Sequence, residues 1–361
     1  LFLSNKESMI LLTLILDLAL QFFIPKKNLI KYDLISKQDK AIEDRIYDLL
    51  TFNPNLMFEV PNNQELFLKA REKLTKKLIF DYVSSNKKIE FVTFYFNAKS
   101  SKNSITNNFI FPDAADFLTL LHLTIVFKKI NEIYEPGANL FIGVECNFFH
   151  KFATQDLRTT SEMTDILMRF KTIIETMIKT KTFIYLYDVY EETSFFKKDF
   201  LSTIELEKFD FLSNENALDE LKKSANYYYN FVIEQSYFPS EEAAHNFCIF
   251  HSLYAIGYSE AIRKIKNVDR GLFKNYNEKI LINPRFFEDS HSDNDHNEIF
   301  LPLLPGSFTF SFNMLTLKMR SNKWHQITYE DIIEHQYKEF FVQDLAYPFL
   351  FTEKRFVGDG Q

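Results

Sequence analysis

The chain has 361 residues, of which 46% are hydrophobic and 25% charged, and its formal net charge is −7. That length holds one large or two ordinary globular domains, and the acidic balance excludes a wholly basic nucleic-acid binder while allowing local basic patches. Two cysteines, Cys146 and Cys248, exclude a disulfide framework and zinc spacing, so a reducing, cytoplasmic setting is the default.

Met9 to Ile24 is the most apolar run. It is interrupted by Asp17 and Gln21 and is shorter than a usual membrane span. It lacks the basic start and small-residue cleavage site of a signal peptide. It therefore reads as a buried core helix, with a targeting segment as the alternative, and no membrane contact is expected. Pro25 to Asn28 is a break. Ser36 to Leu50 is predicted as a helix capped by Ser36, with Ile42, Ile46, Leu49 and Leu50 on one side. Asn53-Pro54 ends it. Asn63 to Val83 is a further amphipathic helix. Its outer face carries Lys69, Arg71, Lys73, Lys76 and Lys77 against Glu65 and Glu72. Such a face is either solvated or a docking surface for phosphate.

The next stretch organises the rest. Ile89 to Phe96 is rich in aromatic and β-branched residues, a strand signal. A polar loop with Lys99 and Lys102 follows. Phe111-Pro-Asp-Ala-Ala-Asp116 starts a helix, with Asp113 able to cap it and Asp116 in the first turn. Leu118, Leu121 and Ile125 keep helical spacing, and Pro136-Gly137 stops the helix. Ala138 to Glu145 is apolar without alternation, as in a strand buried on both faces. This is a βαβ unit, which places ligands at the carboxyl ends of its strands. A helix over Thr160 to Lys181 and a strand over Thr182 to Asp188 extend it. The expected fold class is α/β, a Rossmann-like, mostly parallel sheet over residues 88–361, with a helical N-terminal part over residues 1–87.

Beyond Asp188 the signals are weaker. Ala217 to Gln235 and Ser240 to about Val268 read as helices. The second ends in Arg263, Lys264 and Lys266, followed by Arg270 and Lys274. Cations suit a helix C-terminus, and they would equally suit RNA phosphates. Lys279 to Asn283, Phe308 to Phe312, Leu315 to Met319 and Lys323 to Thr328 read as strands. A helix start is expected at Thr328 to Asp331, and Tyr347 to Phe351 is a last apolar piece. His291, Asp293, Asp295 and His296 lie in a polar loop with no metal-site spacing, so no metal is expected. There is no phosphate-binding glycine loop, dinucleotide fingerprint or nucleophile elbow, and no cofactor is expected.

The Pro-Asp-x-x-Asp helix start, Tyr134-Glu-Pro-Gly137 and the apolar strand after it resemble the dityrosine/pyoverdine biosynthesis family of isocyanide synthases, clearest from Phe94 to His150. That family joins an aromatic amino acid to ribulose 5-phosphate and makes an isonitrile. The resemblance implies Asp113, Asp116 and Glu145 as candidate catalytic residues. Where the family strand ends in Ser-Asp-Gly, this chain has Val144-Glu145-Cys146. The family's late Arg-Leu-Ser-x-His and Pro-Trp-His stretches are missing, although Trp324-His325 stands near the second. The family includes fungal spore-wall maturation proteins, and the composition resembles proteins of A+T-rich parasites such as microsporidia. One reading is thus a degenerate family member that binds a partner. The partner would be an idle ribosome, its rRNA and proteins, held through the basic patches as by a dormancy factor. The other is an active synthase using L-tyrosine or L-tryptophan.

Overall fold

The computed structural model describes residues 26–52, 62–95, 114–144, 160–189, 271–283, 298–300, 314–318, 324–328, 337–342 and 349–354, with isolated positions such as Leu20, Ile24 and Glu192. Three helices come first, α1 (Lys26–Ser36), α2 (Ile42–Thr51) and α3 (Asn62–Ser84). Strand β1 (Ile89–Tyr95), helix α4 (Ala114–Ile133), strand β2 (Ala138–Val144), helix α5 (Thr160–Ile178) and strand β3 (Ile184–Asp188) follow. After two 3-10 turns, Gly271–Phe273 and Tyr276–Glu278, come β4 (Ile280–Asn283) and β5 (Glu298–Phe300). These five strands form one sheet in the order β3-β2-β1-β4-β5, and every pairing is parallel. A second sheet, ordered β7-β6-β9-β8, holds β6 (Met314–Lys318), β7 (Trp324–Thr328), β8 (Tyr337–Val342) and β9 (Phe349–Lys354).

The order 3-2-1-4-5 reverses direction between β1 and β4. In an open α/β sheet that reversal opens a crevice at the carboxyl ends of the strands. Register fixes two faces, because Phe91 pairs with Leu140 and with Ile280, and Leu140 pairs with Ile184. One face carries Ile89, Phe91, Tyr95, Leu140, Ile142, Val144, Ile184, Ile280, Ile282 and Ile299. It packs with α1, α2, α4 and α5 in one core, so the described N-terminal helices and the sheet are not separately cored. The other face carries Val92, Phe94 and Phe141, packed against Val189, Leu272 and Phe273.

Helix α4 is the centre of the molecule. Every residue from Asp116 to Phe127 is buried. Its backbone lies against α1, α2, α5, β2 and, from the second sheet, β6 and β9. Over Asp116 to Phe127 the helix so surrounded has no solvent face, which explains why Leu118 to Phe127 is apolar almost all round.

Two sequence expectations need correction. Ser36 does not open a helix, because its hydroxyl donates back to the Asp33 carbonyl at 2.9 Å and closes α1. A new helix begins at Ile42, with Ala41 at the cap position and no side-chain cap. Arg45 then donates to the Ser36 carbonyl at 3.0 Å and joins the two helices. Helix α1 itself was not expected, since Pro25 to Asn28 was read only as a break. The helix ends also differ slightly. Helix α5 stops at Ile178, with Lys179 left-handed at φ 50 and the Thr180 amide donating to the Glu175 carbonyl at 3.1 Å. That six-to-one bond is the Schellman closure.

The predicted helices over Ala217 to Gln235 and Ser240 to Val268, the strand at Phe308 to Phe312 and the helix start at Thr328 lie, wholly or nearly so, outside the described residues. So do the apolar run, apart from Leu20 and Ile24, and the polar loops with Lys99, Lys102, His291, Asp293, Asp295 and His296.

Candidate functional site

The carboxyl ends of the parallel strands are Tyr95, Val144, Asp188, Asn283 and Phe300. Helix α4 lies on the crossover from β1 to β2 and runs back along the sheet, so its first turn is at the carboxyl end. Asp116 sits in that turn and is completely buried. A buried carboxylate is costly unless compensated, which makes it either a structural anchor or a reactive group. Thr119 follows one turn later, also buried, and its hydroxyl has no hydrogen-bond partner. Thr93, on β1, donates its hydroxyl to the Ile282 carbonyl at 3.0 Å, which ties β1 to β4 at the reversal. Asp113 and Glu145, the other two candidate catalytic residues, lie outside the described residues, as does Cys146.

On the opposite sheet face, close to this edge, β2 carries Gly143. A side-chain carbon there would stand 2.8 Å from both the Phe94 ring and Leu272. The room left by this glycine is filled by protein side chains.

The Tyr-x-Pro-Gly turn stands at the other end of α4. Asp116 and Tyr134 are 18 residues apart, or about 27 Å along a helix. The Tyr134 hydroxyl donates to the Lys87 carbonyl at 2.6 Å and approaches the Tyr82 carbonyl at 3.2 Å. Gly137 has φ +74, and the Asn131 carboxamide occupies the space a side chain would need there. Asn131 itself donates to the Phe127 and Ala138 carbonyls and accepts from the Ala138 amide. These bonds set where β1 and β2 begin. Tyr134 and Gly137 therefore hold the fold, at the end of α4 away from Asp116.

Two buried polar centres escaped the sequence reading. His122, on α4, accepts or donates through Nδ1 to the Tyr32 hydroxyl of α1 at 2.6 Å. Burial lowers the His122 pKa to about 4 and pushes the Tyr32 phenol far above its ordinary range. The one available signal was a histidine inside an otherwise apolar helix. Lys279, at the start of β4, is the second. Its ammonium lies 4.8 Å above the Phe141 ring, 3.6 Å from the Glu90 carboxylate, and donates to the Lys274 carbonyl. Burial lowers its pKa and Glu90 works against that shift. It stands at the amino edge of the sheet, away from the reversal crevice.

The basic residues are only partly brought together. Lys73 and Lys77 are exposed on α3. Lys76 is turned into the protein, bonded to Asp44 at 2.8 Å and Glu72 at 2.5 Å and lying over the Tyr47 ring. Hydrogen bonds to Asp44 and Glu72 hold its ammonium above the ordinary lysine range. Lys69 and Arg71 belong to α3, but their side chains lie outside the description. Lys274 is exposed in the turn before β4. Arg263, Lys264, Lys266 and Arg270 are outside the described residues. Among the described residues no group of three or more His, Cys, Asp or Glu is placed to hold a metal, and no helix is long and apolar enough to cross a membrane.

Comparison with known proteins agrees with the fold. The crystal structure of the PvcA protein from Pseudomonas aeruginosa is similar in fold, with a TM-score of 0.58 and 13% identity over 87% of this chain and 100% of that one. No curated protein matches the chain by sequence. The family model described as pyoverdine/dityrosine biosynthesis protein matches residues 79–254, from the last turns of α3 through all of β1, α4, β2, α5 and β3. Over residues 79–254 the chain is similar to the pyoverdine/dityrosine biosynthesis family, and its fold is similar to that of PvcA.

Proposed function

We propose that this chain works as a binding protein rather than as a synthase. The observation that carries the reading is the filled space beside Gly143. A glycine near the end of a parallel strand lets a ligand approach the backbone closely, but here Phe94 and Leu272 occupy that room. The neighbouring Val144-Glu145-Cys146, where the family usually has Ser-Asp-Gly, agrees with it. The partner expected from the sequence is an idle ribosome in a dormant stage, and of the basic residues expected to meet rRNA, Lys73, Lys77 and Lys274 are exposed. Lys76 is already committed to Asp44 and Glu72.

The test has two parts. Incubation with L-tyrosine or L-tryptophan and ribulose 5-phosphate should yield no isonitrile by mass spectrometry, and turnover overturns the proposal. Ribosomes should carry the protein down on sedimentation, less so as salt rises. No co-sedimentation at low salt removes the ribosome as partner.

A second reading, an active synthase, is favoured by one feature. Asp116 is a completely buried carboxylate at the carboxyl edge, where an acid or base would be needed. On that reading Asp116→Asn abolishes isonitrile formation by the active protein while the fold survives.

A further inference from the structure

Helix α1 is built inside out. Its buried side is Asn28, Tyr32 and Ser36, two of them small and polar. Its solvent side holds two branched aliphatics, Ile30 at 48% and Leu34 at 60% exposure. They are one turn apart and therefore adjacent on the helix surface. Lys26, Lys27, Lys31 and Lys37 are exposed around them. Among the described residues none of these four lysines is in an ion pair, although Lys31 lies 6.0 Å over the Phe52 ring. The one acid within α1, Asp33, is bonded to Lys129 at 2.7 Å, and beyond the helix Asp39 is followed directly by a further lysine, Lys40. In a chain of net charge −7, this is a local excess of positive charge around exposed hydrocarbon.

We propose that the outer face of α1 docks on the surface of an anionic lipid bilayer, with Ile30 and Leu34 entering the interface and the four lysines meeting lipid phosphates and carboxylates. Binding to a bilayer surface strengthens with the apolar area buried and with the attraction of cations to anionic lipid. Apolar side chains and cations both stand on this face. A nucleic acid would use the lysines but leave the aliphatics without a role. The helix lies on the membrane and does not span it, being 11 residues long. The apolar run Met9 to Ile24 immediately precedes it in sequence. The proposal departs from the sequence expectation of no membrane contact, and it is independent of whether the carboxyl-edge site is catalytic.

The experiment is sedimentation of the full chain with vesicles. Mixed phosphatidylcholine–phosphatidylserine vesicles should retain the protein, pure phosphatidylcholine vesicles should not, and retention should weaken with salt. The Ile30→Ser, Leu34→Ser double variant should lower the partition coefficient about tenfold. Lys27→Gln and Lys37→Gln should each lower it about fivefold. All four positions are exposed, so thermal melting should be unchanged. Equal retention on both vesicle types, no retention, or indifference to the aliphatic pair overturns the proposal. Retention on a single-stranded RNA without retention on vesicles assigns the face to nucleic acid and overturns it too.

Discussion

His122 gives the sharpest test of the buried centre. Its imidazole is buried on α4, with the Tyr32 hydroxyl 2.6 Å from Nδ1, and among the described residues no acid pairs with it. Burial lowers its pKa from 6.5 to about 4. The unfolded chain therefore binds a proton at this site that the folded chain refuses between those values. Stability is undiminished by this residue above pH 6.5, is lost as pH falls toward 4, and changes no further below. The loss is about 3 kcal/mol across the window. His122→Asn keeps an acceptor near the Nδ1 position for the Tyr32 hydroxyl but cannot titrate there. Urea unfolding of both proteins at a series of pH values isolates the residue, since the carboxylates of the chain contribute to both curves alike. The difference between the two curves should be flat above pH 7 and close by about 3 kcal/mol in favour of the variant toward pH 4. Parallel curves would mean that His122 reaches water or an anion when charged, and the argument from burial would fail.

Two further changes probe the ends of α4 and the filled glycine. Tyr134→Phe removes the hydroxyl bonded to Lys87 and Tyr82 and should cost about 1–2 kcal/mol in denaturant unfolding, with ligand or partner binding unaffected. A loss of binding at unchanged stability would place Tyr134 in the site. Gly143→Ala drives a methyl group against Phe94 and Leu272 and should destabilise by about 1–3 kcal/mol. If the substitution is neutral, the space beside Gly143 is open, and the argument for a binding protein loses its support.

The parallel half of the fold was legible because it is written in local signals. Residues 89 to 95 and 138 to 144 lack polar alternation, and both strands are buried on two faces, as that pattern requires. Pro136-Gly137 stopped α4 where Gly137 adopts its positive φ. Ser36 misled because a serine hydroxyl can accept at a helix start or donate back at a helix end, and the two look alike in sequence. Helix α1 was missed because its apolar residues do not follow one face: Ile30 and Leu34 point outward while Tyr32 points inward. Strand β8 was also missed. It pairs antiparallel with β9, a partner that no local signal announces. The site was less legible than the fold. His122 acquires its meaning only from Tyr32, 90 residues away, and Lys279 only from Glu90 and Phe141. Lys76 looked like its neighbours Lys73 and Lys77 until Asp44 of α2 was brought to it.

The motif that carries the family signal is physically two things joined by one helix. Its acidic start lies at the carboxyl edge, where an α/β sheet can hold a ligand, and its Tyr-x-Pro-Gly end lies at the amino edge, where the hydroxyl of Tyr134 and the turn at Gly137 fix the starts of β1 and β2. Selection on the fold alone would preserve the second half whatever happened to the first. Similarity carried by residues that set the fold speaks for the architecture, and architecture by itself does not carry a reaction. The other end of the same helix holds a buried Asp116 and, one turn on, a buried Thr119 hydroxyl without a partner among the described residues, and substitution there is what would separate a binding protein from a synthase.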